Sequence, residues 1–227
     1  MNDILQTKPM LGTGIYTIPD IAMILGLPYP KINRWVKSFW DDKFGKKYGA
    51  KYSWNVDLTK AVNFHTLIEI YTFYQLSQSG VISKEIINAH DILSHDYHTA
   101  YPFANRDVLN SLRSDGKNVL FEKENGLIYS VDVHKQTYLN FIKDFYKILD
   151  FGNDLLVSRI WPLGKEKAVV CDPHHQFGQP VISGTNINVE ALNELYKAGE
   201  PEWFIADLYN LDESKVKDAI TFCNTAA

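Results

Sequence analysis

Residues 31–37, KINRWVK, gather Lys31, Asn33, Arg34 and Lys37 within two helical turns. On one exposed helix face these are the side chains that read a DNA major groove. Arg and Asn bond bidentately to guanine and adenine edges, and Lys holds phosphates. An ordinary solvated helix face carries the same residue types, so the reading depends on what surrounds them. Lys46, Lys47 and Lys51 follow in DDKFGKKYGAKYSW, residues 41–54, interleaved with Phe44, Tyr48 and Tyr52. Set over a phosphate backbone, such lysines lend salt-dependent affinity.

Two further stretches carry residues of chemical interest. In HDILSHDYH, residues 90–98, Asp91 and His95 stand four apart, as metal-ligand pairs on a helix do. No cysteine or third helix supplies a clear further ligand, and histidines also suit a helix's last turn. A polar helix end is the plainer reading. In FGQPVISGTNINV, residues 177–189, Gly178, Pro180 and Gly184 bracket Val181 and Ile182. The glycine spacing matches neither G-x-x-x-x-G-K-[ST] nor G-x-G-x-x-G, so no phosphate loop is expected. His174 and His175 are adjacent, and on a strand they point oppositely. No nucleophile–base pair and no carboxylate cluster stands out. The chain reads as a non-enzyme with no metal and no cofactor.

The elements that must position these residues follow from local signals. YTIPDIAMILGLPYPKINRWVKSFW, residues 16–40, reads as two short helices around a turn. Pro19 and Asp20 suit a first helical turn, Gly26 a stop, and Pro30 a second start. Ile21, Ile24 and Leu25 share one face; Ile32, Val36 and Phe39 share another, bordered by Trp35. The two glycines of residues 41–54 favour a hairpin, a β-wing carrying the lysines. Residues 58–93 read as two more helices, broken at Ser79-Gly80. Asn125-Gly126 sits between alternating runs in residues 118–132, the sign of a tight hairpin. Residues 138–149 read as an amphipathic helix, with Tyr138, Phe141, Ile142 and Phe145 a candidate dimer stripe. Val181-Ile182 forms a short buried strand, and three helices follow, the first capped by Asn188.

Charge divides the chain. Residues 1–60 hold nine Lys and Arg against five Asp and Glu, while residues 172–227 hold three against nine. The two ends therefore suit different partners. No run of about 18 apolar residues spans a membrane, and the first residues lack the basic start and apolar block of a signal peptide. Cys171 and Cys223 stand in no metal or redox spacing. A soluble cytoplasmic protein without disulfides is expected.

Residues 14–95 resemble the DNA-binding domain of the MerR family, most closely in YTIPDIAMILGLPYPKINRWV. That resemblance implies that Lys31, Asn33, Arg34 and Lys37 lie on a recognition helix. Residues 167–223 resemble domain-of-unknown-function family 433, through DPHHQFGQPVISGTNI and KAGEPEWFIADLYNLDESKVKDAI. The Arg that usually follows "GT" in that pattern is Asn186 here. Such domains are regarded as antitoxins and are often encoded beside PIN-like ribonuclease toxins. The two-part layout resembles VapB-like antitoxins in particular.

The fold expected is mainly α with small β elements. A winged helix-turn-helix occupies residues 14–98, a connecting and dimerising region 99–165, and a β-arm with a three-helix module 166–227. The function the resemblance implies is an antitoxin of a type II toxin-antitoxin system. It would bind a PIN-like ribonuclease and operator DNA, as a homodimer. Lys31, Asn33, Arg34, Lys37, Lys46, Lys47 and Lys51 are the expected DNA contacts. Gly178, Pro180, Gly184, Thr185, Asn186, Trp203 and Phe204 are the expected partner contacts. The alternative is a MerR-like transcription regulator that responds to a small ligand.

Overall fold

The computed structural model describes residues 12–78, 81–114, 118–122, 128–132 and 145–225. It is mainly α-helical with small antiparallel sheets. Its described residues fall into two compact units, one drawn from 1–34, 53–64 and 158–227, the other from 35–52 and 65–157.

In the first unit, the helix Ile18–Leu25 forms where its sequence dictates. The Thr17 hydroxyl accepts from the Asp20 amide at 3.3 Å, and the Asp20 carboxylate accepts from the Thr17 amide at 2.8 Å. This reciprocal cap satisfies two amides that the first turn leaves open. Gly26, at φ 61°, closes the helix. Ile18, Ile21 and Ile24 face inward at helical spacing. The second helix, Tyr29–Trp35, follows directly. A three-stranded antiparallel sheet joins Tyr16–Thr17 to Thr59–Val62 and that strand to Ser53–Val56.

The tail completes the first unit. Val169–Val170 pairs antiparallel with Val181–Ile182, with Val181 opposite Val170, and all four side chains are buried. Asn188 caps the helix Val189–Lys197, its side chain accepting from the Glu190 amide at 2.8 Å. The helices Glu202–Tyr209 and Glu213–Thr225 follow. Val189, Leu192, Ile205, Val216, Ala219 and Phe222 form the small core between the three. Asp218 ties the last helix to the strand ahead, accepting from the Ala168 amide and the Lys167 ammonium at 2.9 Å each.

The second unit departs from the sequence reading at residues 41–54. No lysine-bearing β-wing forms there. The chain continues past Trp35 in π-type turns over Val36–Gly45, then in the short helix Lys46–Tyr48. Val36, Trp40 and Phe44 are spaced by four and all buried. Turns closed by i→i+5 bonds are wider than α turns, so residues four apart keep near one line. That apolar spacing outweighs the two glycines. Gly49, at φ 61°, caps the helix instead of turning a hairpin. The hairpin forms later, at Ser53–Val56 and Thr59–Val62, and carries Lys60. Trp35 is core at 3% exposure, not a border residue, and packs edge-on against Phe73 at 4.8 Å.

Two helices form within the stretch read over residues 58–93, as Phe64–Gln78 and Ser83–Asp96, but Thr59–Val62 ahead of the first is a strand, and the expected break at Ser79-Gly80 lies outside the described residues. The strands Asn118–Glu122 and Ile128–Asp132 pair with Glu122 opposite Ile128. The Asn125-Gly126 turn between them lies outside the described residues, as do Tyr138, Phe141 and Ile142. The helix expected through residue 149 stops earlier, because Leu149–Phe151 is a strand. Phe145 is buried at 4%.

Candidate functional site

A polar cleft opens on the tail module. Ile160 pairs with Cys171 through two backbone hydrogen bonds, at 3.1 and 2.9 Å, which sets Arg159 beside Asp172. The Arg159 Nε donates to Asp172 Oδ2 at 2.7 Å. Asp172 Oδ1 accepts from the His174 amide at 2.9 Å and lies 3.2 Å from His174 Nδ1. Burial alone would raise the Asp172 pKa; the His174 amide, Arg159 and the His174 ring outweigh it and hold the carboxyl below its ordinary value. His175 lies on the other side of the turn. Its Nδ1 lies 3.0 Å from Asn186 Oδ1. Thr185 is fixed by its own loop, donating to the Ile182 carbonyl at 2.8 Å and accepting from the Ile187 amide at 3.1 Å. Arg159, Trp161, Asp172, His175, Thr185 and Asn186 line a cleft of about 390 Å³.

Gly178 and Pro180 play a different part, since both are buried. The segment 177–179 is stitched to the start of the described chain. The Ile15 amide donates to the Phe177 carbonyl at 2.8 Å, and Gln179 Nε2 donates to the Ile15 carbonyl at 3.1 Å. The Tyr16 hydroxyl stands 2.0 Å from where a Gly178 Cβ would sit, so only glycine fits. Gly178 and Pro180 therefore hold the arm in place. Gly184, Thr185 and Asn186 face the cleft.

Trp203 and Phe204 are not core. On the helix Glu202–Tyr209, Ile205 and Ala206 face inward. That leaves Trp203 64% exposed, Phe204 38% and Leu208 59%. The Trp203 and Phe204 rings meet edge-on at 5.9 Å. Acidic side chains of the same helix, Glu202 and Asp207, flank them.

Of the expected DNA contacts in the first unit, Arg34 is exposed, while Lys31 and Asn33 are half-buried. In the second unit Lys37, Lys46, Lys47 and Lys51 are exposed. Lys46 pairs with Asp42, and Lys47 pairs with Asp91 at 2.7 Å. Of the histidines in that stretch only His90 is drawn into packing, while His95 and His98 are exposed. His90 is fully buried with its Nε2 2.6 Å from Glu69 Oε2, and it stacks on Phe44 at 3.9 Å. Asp91 also accepts from the Tyr48 hydroxyl at 2.6 Å. Among the described residues no group of three or more His, Cys, Asp or Glu is placed to hold a metal ion, and no helix is long and apolar enough to cross a membrane.

Arg159, Trp161, Asp172 and His175 are not among the site residues expected from the sequence. The signal available was weak: a charged and an aromatic residue in RIW, and the DPHH turn, each unremarkable alone.

Residues 169–223 match the model of the DUF433 family. The family is described only as a protein of unknown function. The DUF433 segment includes Asp172, His175, the 178–186 arm and the exposed Trp203–Phe204 pair. Within that segment Asn186 lies against His175. A similar solved structure is a crystal structure of Rv2018 from Mycobacterium tuberculosis. It is 19% identical, with a TM-score of 0.64, covering 90% of this chain and 96% of that one. The two share a fold. Among curated proteins, no sequence match is found.

Proposed function

We propose that the chain is an antitoxin of a type II toxin-antitoxin system. Its DUF433 tail binds a PIN-like ribonuclease, and its basic front end binds operator DNA. The observation that carries this reading is an aromatic pair exposed on an acidic module. Trp203 and Phe204 stand in solvent on a segment with three cations against nine carboxylates. A ribonuclease holds RNA on a cationic surface. Aromatic anchors on an acidic module complement such a surface: the rings fill pockets, and the charges steer the encounter. The arm at residues 178–186 presents Gly184, Thr185 and Asn186 from a fixed backbone.

The DNA part rests on charge and exposure. Arg34 stands exposed in the last turn of the second helix, Tyr29–Trp35, and we take that helix as the one that meets DNA. Lys46, Lys47 and Lys51 supply phosphate contacts from a helix end and the loop after it, not from a wing. A homodimer matches the two-fold operators such proteins bind. The test is co-expression with the product of the adjacent open reading frame. The full-length chain should co-purify with it and abolish its ribonuclease activity. A neighbour that is neither bound nor inhibited removes the reading.

A further inference from the structure

We infer that the cleft lined by Arg159, Trp161, His175 and Asn186 binds a carboxylate. The guanidinium of Arg159 is already aimed. Its Nε is held by Asp172 at 2.7 Å, and Asp172 is itself only 6% exposed and fixed by His174. Nε is the one guanidinium nitrogen hydrogen-bonded among the described residues. The two terminal amino groups remain, and they form the fork that grips a carboxylate through two parallel bonds. The Arg159 side chain is 49% exposed, so a ligand reaches that fork without displacing protein. His175 is oriented by Asn186, and the Asn186 amide nitrogen makes no hydrogen bond among the described residues. It is a second donor on the same wall.

The surroundings select among anions. Trp161, Val170 and Val181 give the cleft an apolar side, which suits an organic acid over a small inorganic ion. Asp172 already offsets the charge of Arg159. A phosphate dianion would meet that buried carboxylate with only one cation present; a carboxylate adds a single charge. The excess of acids over residues 172–227 disfavours a polyanion such as RNA or DNA. The ligand is an isolated acidic group on a protein chain otherwise apolar or cationic. This deepens the partner-binding reading and rests on it for the source: an acidic side chain or the free carboxy terminus of the ribonuclease.

The test uses the ¹⁵N-labelled full-length chain and small probes. N-acetyl-glutamate methylamide presents a side-chain acid, and N-acetyl-glycine a terminal one. N-acetyl-glutamine methylamide and inorganic phosphate are the controls. One or both acids should shift the Trp161 indole and Asn186 side-chain signals saturably, while the two controls leave them in place. Whichever acid binds more tightly identifies the source. Arg159→Lys keeps the charge and loses the fork, so affinity should fall about fivefold or more. Because Arg159 also braces Asp172, His175→Ala serves as a second variant; its ring is exposed, and binding should weaken again. Equal response to the glutamine analogue, preference for phosphate, or unchanged acid binding in both variants overturns the inference. The outcome is independent of the toxin. Acid binding by a chain that ignores the ribonuclease leaves the cleft standing and removes only the antitoxin reading.

Discussion

Gly178→Ala should destabilise the protein by about 2–5 kcal/mol, and the structure says where that figure comes from. Gly178 has φ +89°, where an L residue costs about 1–2 kcal/mol. The new methyl would also lie 2.0 Å from the Tyr16 hydroxyl oxygen and 2.5 Å from its Cζ. Tyr16 is fully buried, so the ring cannot swing into solvent. Forcing an extra carbon into such packing costs about 1–3 kcal/mol more. Gly184→Ala is the matched control: φ is +79°, with nothing within 4 Å of the added carbon. It should show the backbone cost alone, about 1–2 kcal/mol. The Tyr16 hydroxyl is buried with no hydrogen bond among the described residues, so Tyr16→Phe alone should change stability by less than about 1 kcal/mol. Combined with Gly178→Ala, it should recover part of the loss, a coupling of about 1 kcal/mol. Urea unfolding of the four variants, followed by circular dichroism, measures all terms. If Gly178→Ala costs no more than Gly184→Ala, the close approach of Tyr16 does not constrain the arm.

Three other outcomes are expected. Asp172 has a folded-state pKa below its unfolded one, so its stabilisation is complete above about pH 4 and is lost as pH falls through the folded value. Asp172→Asn should lack that acid limb in a pH series of unfolding curves and lose about 1–2 kcal/mol near neutrality. Arg34→Ala should weaken binding to the upstream intergenic DNA by about 1–3 kcal/mol in gel-shift titration if Arg34 reads a base. Replacing Lys46 and Lys47 with Ala should lower the salt slope of the same binding by about one unit for each phosphate that these lysines neutralise; an unchanged slope places them off the DNA.

The parts of the fold written in local chemistry were legible. Asp20, Gly26 and Asn188 open or close helices through neighbours within a few residues, and the structure places them there. The short strand Val181–Ile182 and the hairpin strands at 118–132 follow from the same kind of signal. The wing failed because the two glycines competed with apolar side chains at positions 36, 40 and 44, and burial of Val36, Trp40 and Phe44 outweighed them. The cleft was not legible because its parts meet through long-range pairing. Arg159 reaches Asp172 only because Ile160 bridges Cys171. The role of Gly178 was hidden for the same reason: the arm is tied to Ile15, 164 positions before Gln179. Trp203 and Phe204 were ambiguous between core and surface. Their helix buries Ile205 and Ala206 instead, and that choice is made by the two helices packed against it.

The central claim is that the aromatic pair on the acidic tail holds the toxin. The direct measurement is the affinity of the full-length chain for the product of the adjacent gene, comparing the native protein with a Trp203→Ala, Phe204→Ala double variant. Both side chains are exposed, so the unfolding free energy should stay within about 0.5 kcal/mol of native. Affinity should fall by more than about 2 kcal/mol, because exposed aromatics that anchor an interface carry much of its energy. Inhibition of ribonuclease activity should weaken in parallel, with operator binding unchanged. A stable double variant that still captures and silences the ribonuclease at native affinity would contradict the account.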